Sequence, residues 1–354
     1  MAGLVLISGP VAEALSGIRG SLNLNGLVHI SDASAQSFSK FDGYLQLNGL
    51  TQISDKAAKA LSKHKGGLEL SGLTRISDTS SEFLMEHQGV LLLRGLSKIS
   101  STTAKLVSKQ EVAHLRLDKL TEISEEAAKG LAESKGSFLS LKGLKELSDD
   151  AANALSGYRG EIDLSGLTEI SDIAAEYLSK DREFLYLNGL TNISDPTAKS
   201  LSNVRVGLDL KGLKVISDTT AEYLSKVQRQ LVLKGLTEIS DTSAESLSKM
   251  KGILDLSGLR KITFKAALAF SKHQGGDLDL FGLSEVSDES FKVLSRHRET
   301  VSGFEATKWA RLHKKHLRRE KQRSEGGAQT SGCAGLIVLG LVPLGAYWVF
   351  RMMF

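Results

Sequence analysis

Short stretches in which leucine alternates with other residues run the length of the chain: Leu22 and Leu24, Leu45 and Leu47, Leu68 and Leu70, and their successors each bracket one variable residue. Such alternation puts both leucines of a pair on one side of a strand and the residue between them on the other. A third Leu follows each pair, then Ile-Ser-Asp, then an Ala and a Leu three residues apart, as in Ala58 and Leu61. Ser and Asp are residue types whose oxygens accept the free N–H groups at a helix start, and the Ala-to-Leu spacing sets both side chains on one face of a turn. The predicted unit is a short strand followed by a short helix. Neither element can bury its apolar face alone.

The phrase returns at Ile7, Ile30, Ile53, Ile76, Ile99, Ile123, Leu147, Ile170, Ile193, Ile216, Ile239, Ile262 and Val286, in steps of 23 or 24 residues. A period of that size with one strand and one helix per copy predicts an α/β solenoid of about 13 coils, each covering its neighbour's apolar face. The three extra residues fall between the helix of one copy and the strand of the next, so that return is expected to be a tolerant surface loop. The residue before each inward Ala is small, Ser34, Ala57 and Ser80 among them, which allows close stacking. Before the third Leu stands a glycine, as at Gly49, Gly143 and Gly258, and a positive φ or a tight corner is its simplest explanation. Lys119 replaces that glycine in the copy after the first insertion, where an irregular coil is expected.

With its L-x-L-x-G-L-x-x-I-S-D-x-x-A-x-x-L-S consensus, the array over residues 1–298 resembles the leucine-rich repeats, and is most similar to the 23-residue bacterial BspA-like class. It departs from them in two respects. Leu27, Leu50 and Leu73 stand where typical repeats carry an asparagine ladder, and pairs such as Ala35 and Phe38 stand where the BspA-like class places Phe and Cys. The resemblance implies a recognition surface, usually for another protein, and no shared chemistry.

Beyond the array the pattern changes. Residues 299–332 form a basic segment and a Gly/Ser-rich linker: eight Lys/Arg lie between Lys308 and Arg323 against one acid, Glu320. Residues 333–350 are 18 uncharged residues, enough for a helix spanning ~27 Å at ~1.5 Å per residue. Tyr347 and Trp348 near one end and the basic run at the other are the flanks of a transmembrane helix, and a buried core helix is the alternative. The excess of Lys/Arg before the span predicts tail-anchor topology with the array in the cytoplasm. Lys314, Lys315, Arg318 and Arg319, with Trp309 and Leu312 close by, either lie against anionic lipid headgroups or belong to a solvated linker. At the other end, the first copy lacks its strand leucines. Either that coil frays or docks, or the natural start lies upstream.

Among 354 residues with 45 Lys+Arg and 41 Asp+Glu there is one Cys, so a disulfide scaffold is excluded. The repeat accounts for nearly every polar residue, leaving no distinct set of nucleophile, acid and base, and no catalytic motif occurs. An Asp column (Asp32, Asp55, Asp78, Asp149, Asp172, Asp195, Asp218, Asp241, Asp288) stacks carboxylates ~4.8 Å apart and invites calcium; helix capping explains it better. His64, His273 and His297 share one loop position and are read as surface loop residues, too dispersed for zinc. No metal, cofactor or nucleic-acid partner is expected.

What varies is the face formed by residues between the leucines. Leu92, Arg94, Arg116, Tyr186, Asn188, Asp209, Val232 and Phe281 are its candidate partner-binding residues, the apolar and aromatic ones because a purely solvated face would be polar there. Strand propensity alone also favours Val and Tyr. The expected function is a non-catalytic, membrane-anchored scaffold that binds a protein through this face. A cell-envelope repeat protein facing outward is the alternative, if an upstream signal sequence exists.

Overall fold

A computed structural model describes residues 5–109 and 113–295. Within them the chain is a solenoid of leucine-rich-repeat type. Coil 1 contributes helix α1 (Gly9–Ser16), and each later coil a parallel strand followed by a helix, ending at α13 (Asp288–Ser295). The strands are β1 (Gly20–Asn23), β2 (Gly43–Gln46), β3 (Leu68–Glu69), β4 (Leu91–Leu92), β5 (His114–Arg116), β6 (Phe138–Ser140), β7 (Glu161–Asp163), β8 (Phe184–Tyr186), β9 (Gly207–Asp209), β10 (Gln230–Val232), β11 (Ile253–Asp255) and β12 (Leu278–Asp279). As the alternation predicts, Leu45, Leu47, Leu50, Ala58 and Leu61 and their equivalents are buried, and strands pair in register with leucine opposite leucine, or isoleucine at Ile162.

Division of labour at the helix starts differs from the simple capping expectation. Ser is the N-cap: Ser54 Oγ accepts the Ala57 N–H at 3.0 Å, and Ser194 Oγ the Thr197 N–H at 3.0 Å. Asp sits one residue later and bonds to the next coil. Asp195 Oδ1 accepts from the Ser217 hydroxyl at 2.6 Å and the Thr220 hydroxyl at 2.7 Å, and the same carboxylate-to-hydroxyl bond starts from Asp32, Asp55, Asp78, Asp149, Asp172, Asp218 and Asp241. These oxygens are engaged by hydroxyls, which accounts for the column without calcium.

The glycine column sits at a tight corner, one of the two expected explanations, and not at a positive φ. Among the described residues only Gly20 and Asp181 have positive φ. At Gly258 a Cβ would lie 1.8 Å from the Lys234 carbonyl oxygen of the preceding coil, and at Gly143 2.5 Å from that of Leu120. Coils stack too closely there for any side chain.

The helix-to-strand return is exposed on both sides of one buried position, so the histidines there are not the surface residues expected. His64 is 1% exposed and His273 3%. Phe41, His64 and His87 stack with ring centroids 5.8 Å apart, and Nε2 of His64 and of His87 donates to the Gly43 and Gly66 carbonyls at 2.9 and 3.0 Å. His64, His87 and Tyr158 use this position to satisfy a carbonyl of the coil before, whereas Val204, Val227 and Met250 fill it with apolar side chains. In coil 8 the slot goes to Arg182, 1% exposed, whose guanidinium donates to the carbonyls of Leu155, Tyr158, Gly160 and Leu178. Asp181, at φ 54°, turns the chain so that Arg182 enters.

One joint is irregular, at the copy where the insertion and Lys119 announce it. β1 to β4 form one sheet and β5 to β12 another, and β4 does not pair with β5. Leu91 and Leu93 are 9% and 8% exposed, whereas Leu68 and Leu70 one coil earlier are fully covered. At this joint α5 (Ser101–Ser108) begins with Ser101 instead of Asp, so the carboxylate-to-hydroxyl ladder stops here too. Thr121 N–H to Ser97 O at 3.0 Å and the packing of α5 against α6 (Glu125–Ala132) span the joint.

Among the described residues no helix is long and apolar enough to cross a membrane. The segments 299–332 and 333–350, with Lys314, Lys315, Arg318, Arg319 and His297, lie outside the described residues.

Candidate functional site

Three residues per coil point out of the sheet: the one before the first strand leucine, the one between the pair, and the one before the glycine. Their backbone would be short of partners at the sheet's end, and the outward side chains supply them. Asn25 Oδ1 accepts the Asn48 N–H at 2.9 Å, Asn48 Oδ1 the Ser71 N–H at 2.8 Å, and Asn188 Oδ1 the Lys211 N–H at 3.1 Å. A short asparagine ladder thus exists, on the outward face and two residues before the Leu27 column. Elsewhere an Asp caps its own turn: Asp163, Asp255 and Asp279 accept from Ser165, Ser257 and Phe281 N–H at 2.9, 3.0 and 2.9 Å.

Aromatic rings crowd β5 to β8. His114 meets the edge of Phe138 at 5.6 Å, Phe138 meets Tyr186 edge-on at 6.1 Å, and Tyr186 stacks on Phe184 at 4.5 Å. The Arg116 guanidinium lies 5.9 Å from the Phe138 centroid. Such ring pairs add about 0.5–1.5 kcal/mol each beyond area burial. Phe184 leans across Gly207, where a Cβ would be 2.3 Å from its ring. The Tyr186 hydroxyl donates to Glu161 Oε2 at 3.1 Å; burial first, then the charges of Glu161, Asp209 and Asp163, push the phenol up to about 12.

Of the candidates read from sequence, Arg116 and Tyr186 are joined through Phe138, and Asn188 and Asp209 adjoin Tyr186. Asn188 is committed to the ladder. Leu92 and Arg94 belong to the other sheet, beside a cavity of about 60 Å³ at the open joint. Val232 is corrected: it is 5% exposed, held between Asp209 and Asp255 in register and beside the Lys234–Asp255 bridge, and offers a partner almost nothing. Phe281 is 37% exposed, on the last coil. Sequence reasoning missed His114, Phe138, Glu161 and Phe184. The signal was the alternation itself, which extends one residue ahead of the first leucine and makes that residue face outward too.

No protein-family model matches the chain, and no curated protein matches it. Among solved structures the chain is similar to an internalin from Listeria monocytogenes, at 16% identity over 82% of this chain and 87% of that one, with a TM-score of 0.47. It is similar to an LRR protein from Leptospira interrogans at 15% identity, over 85% and 93% of the two chains, TM-score 0.41. A chain from the Toll–Spatzle complex of Drosophila matches at 12% identity over 76% of this chain and 39% of that one, TM-score 0.48. All three scores are below 0.5, so the fold rests on the coils themselves and the face on its own residues.

Among the described residues no group of three or more His, Cys, Asp or Glu is placed to hold a metal ion. A surface hollow between α11 (Asp241–Ser248) and α12 (Phe264–Phe270) is an open groove whose lining mixes lysines such as Lys249 and Lys265 with Asp241, Glu245 and apolar residues such as Leu268.

Proposed function

We propose that the chain is a non-catalytic repeat scaffold, its repeat most similar to the BspA-like class, that binds a protein partner through the outward strand face. The observation that carries this reading is the run of Arg116, Phe138 and Tyr186 across β5 to β8, backed by the buried Phe184, because aromatic residues beside arginine form the centres of protein interfaces. No cofactor or metal enters it. The uncharged stretch 333–350 and the basic run before it support anchoring by one C-terminal span, with the array on the cytoplasmic side and Lys314, Lys315, Arg318 and Arg319 at the headgroups.

The test is capture of partners by the full chain, compared with Phe138→Ser and with Tyr223→Ala, the latter removing a ring on α10 (Asp218–Leu224) of the helix side. Partners retained by wild type and Tyr223→Ala but lost by Phe138→Ser support the strand face. Equal capture by all three rules it out. A reporter fused after Phe354 and accessible only from outside the cytoplasm supports the anchor, and a soluble chain removes it.

A further inference from the structure

Resting on that strand-face reading, we infer that β7 to β12 take a basic, extended segment of the partner, with a Lys or Arg side chain lodged between the Tyr186 ring and the Asp209 carboxylate. Asp209 is 3% exposed, and its Oδ1 has no hydrogen-bond partner. The fold does not require that oxygen. In the coils of Asp163, Asp255 and Asp279 the matching Oδ1 caps the coil's own turn, but in the Asp209 coil the turn N–H of Lys211 is already taken by Asn188. Asp209 Oδ2 pairs with Lys211 at 2.8 Å and accepts from Asn188 Nδ2 at 3.4 Å, so within this column, among the described residues, it is Oδ1 of Asp209 that is left without a partner.

Its surroundings select a cation. Glu161, Asp163, Asp209, Asp255, Asp277 and Asp279 share this end of the outward face with only two cations, Lys211 and Lys234. Both are already engaged, Lys211 with Asp209 Oδ2 at 2.8 Å and Lys234 with Asp255 at 3.3 Å. The crowding shows at Asp279, whose carboxyl is raised by burial and by the neighbouring Asp255 charge. The half-buried Tyr186 ring, backed by the buried Phe184 ring stacked on it at 4.5 Å, lies next to these carboxylates, and an aromatic ring with anionic neighbours holds a guanidinium or ammonium better than either feature alone. Lys211 acts as an internal occupant that an incoming cation displaces from Asp209. A segment laid across the strands meets one coil every ~4.8 Å, so side chains of one extended peptide reach Tyr186, Asp209 and Asp255 together.

The experiment titrates the full chain with a fluorescent peptide of alternating Arg and Thr and, separately, with its Glu-for-Arg counterpart, at low and at physiological salt. Wild type binds the basic probe and not the acidic one. Asp209→Asn, which keeps the side-chain shape, weakens binding by roughly tenfold. Lys211→Met strengthens it, and Glu222→Gln, removing a carboxylate on the helix side, leaves it unchanged. Asp255→Asn serves as a second variant should Asp209→Asn unfold, and weakens binding as well. The inference is overturned if Asp209→Asn and Asp255→Asn bind the basic probe like wild type, or if the acidic probe is preferred. If Phe138→Ser still loses its partners in that case, the strand face stands and only the basic character of its ligand falls; if partner capture is also indifferent to Phe138, both fail.

Discussion

Lys119 carries a side chain at the position where, one coil later, Gly143 has none because a Cβ would sit 2.5 Å from the Leu120 carbonyl oxygen. The coil that bears Lys119 is also the coil whose strand fails to pair with the one before it. Glycine in this column is the condition for two coils to close on each other, and Lys119 marks the place where they do not.

Gly166→Ala is accordingly expected to destabilise the array by about 1–3 kcal/mol, the usual cost of overpacking, since its Cβ would meet the Lys142 and Leu144 carbonyl oxygens at 2.1 and 2.4 Å. Lys119→Ala should change stability by less than about 0.5 kcal/mol. Urea unfolding of the two variants measures both, and an equal effect at the two sites contradicts the stacking explanation.

Arg182→Met removes the donors from three buried carbonyls and the half-buried one of Gly160, and should cost about 3 kcal/mol. Arg182→Lys keeps the charge but not the planar fork, and should recover only a minor part. Thermal midpoints of the three proteins decide it; a fully recovered Lys variant would show that charge, and not the fork, is what the slot needs.

Hydroxyl bonds hold the Asp55, Asp172, Asp195 and Asp218 carboxyls below their ordinary value. A depressed folded pKa gives stability that is complete above the unfolded value of about 3.9 and is lost as pH falls through the folded one. Denaturant midpoints should therefore be flat in this respect at neutral pH and drop below about pH 4. Asp195→Asn should make that drop shallower, and an unchanged acid limb would sink the ladder's part in it.

Burial, with the adjacent His64, lowers His87, whose Nδ1 has no partner. Its contribution is present above the ordinary value of about 6.5 and declines as pH falls below it. His87→Phe, which extends the Phe41 stack, is expected to narrow the gap between thermal midpoints at neutral and mildly acidic pH. A gap as wide as wild type's would place the titration elsewhere.

The inward set was legible from residue spacing: Leu45, Leu47, Leu50, Ala58 and Leu61 are buried as the alternation requires. What spacing does not show is the neighbour one coil away. Glycine at 143, histidine at 64 and asparagine at 188 all answer to carbonyls or amides of an adjacent coil, a relation that single copies do not display. One such relation was in plain view. Each of the eight Asp residues bonded to the next N-cap lies 22 residues before it, and the three longer steps follow the copies with Ser101, Glu125 and Phe264 in that position. At the outward face, Tyr186 was readable as an outward-facing ring, whereas Val232 was not readable as covered, because its cover comes from its register neighbours.

Since a repeat array is stable as a sum of coil terms and contacts between adjacent coils, the joint before Lys119, missing both its strand ladder and its carboxylate link, sets where cooperativity is interrupted. Under denaturant or mechanical load the molecule should part there first, yielding a block of four strands and a block of eight that melt as separate units.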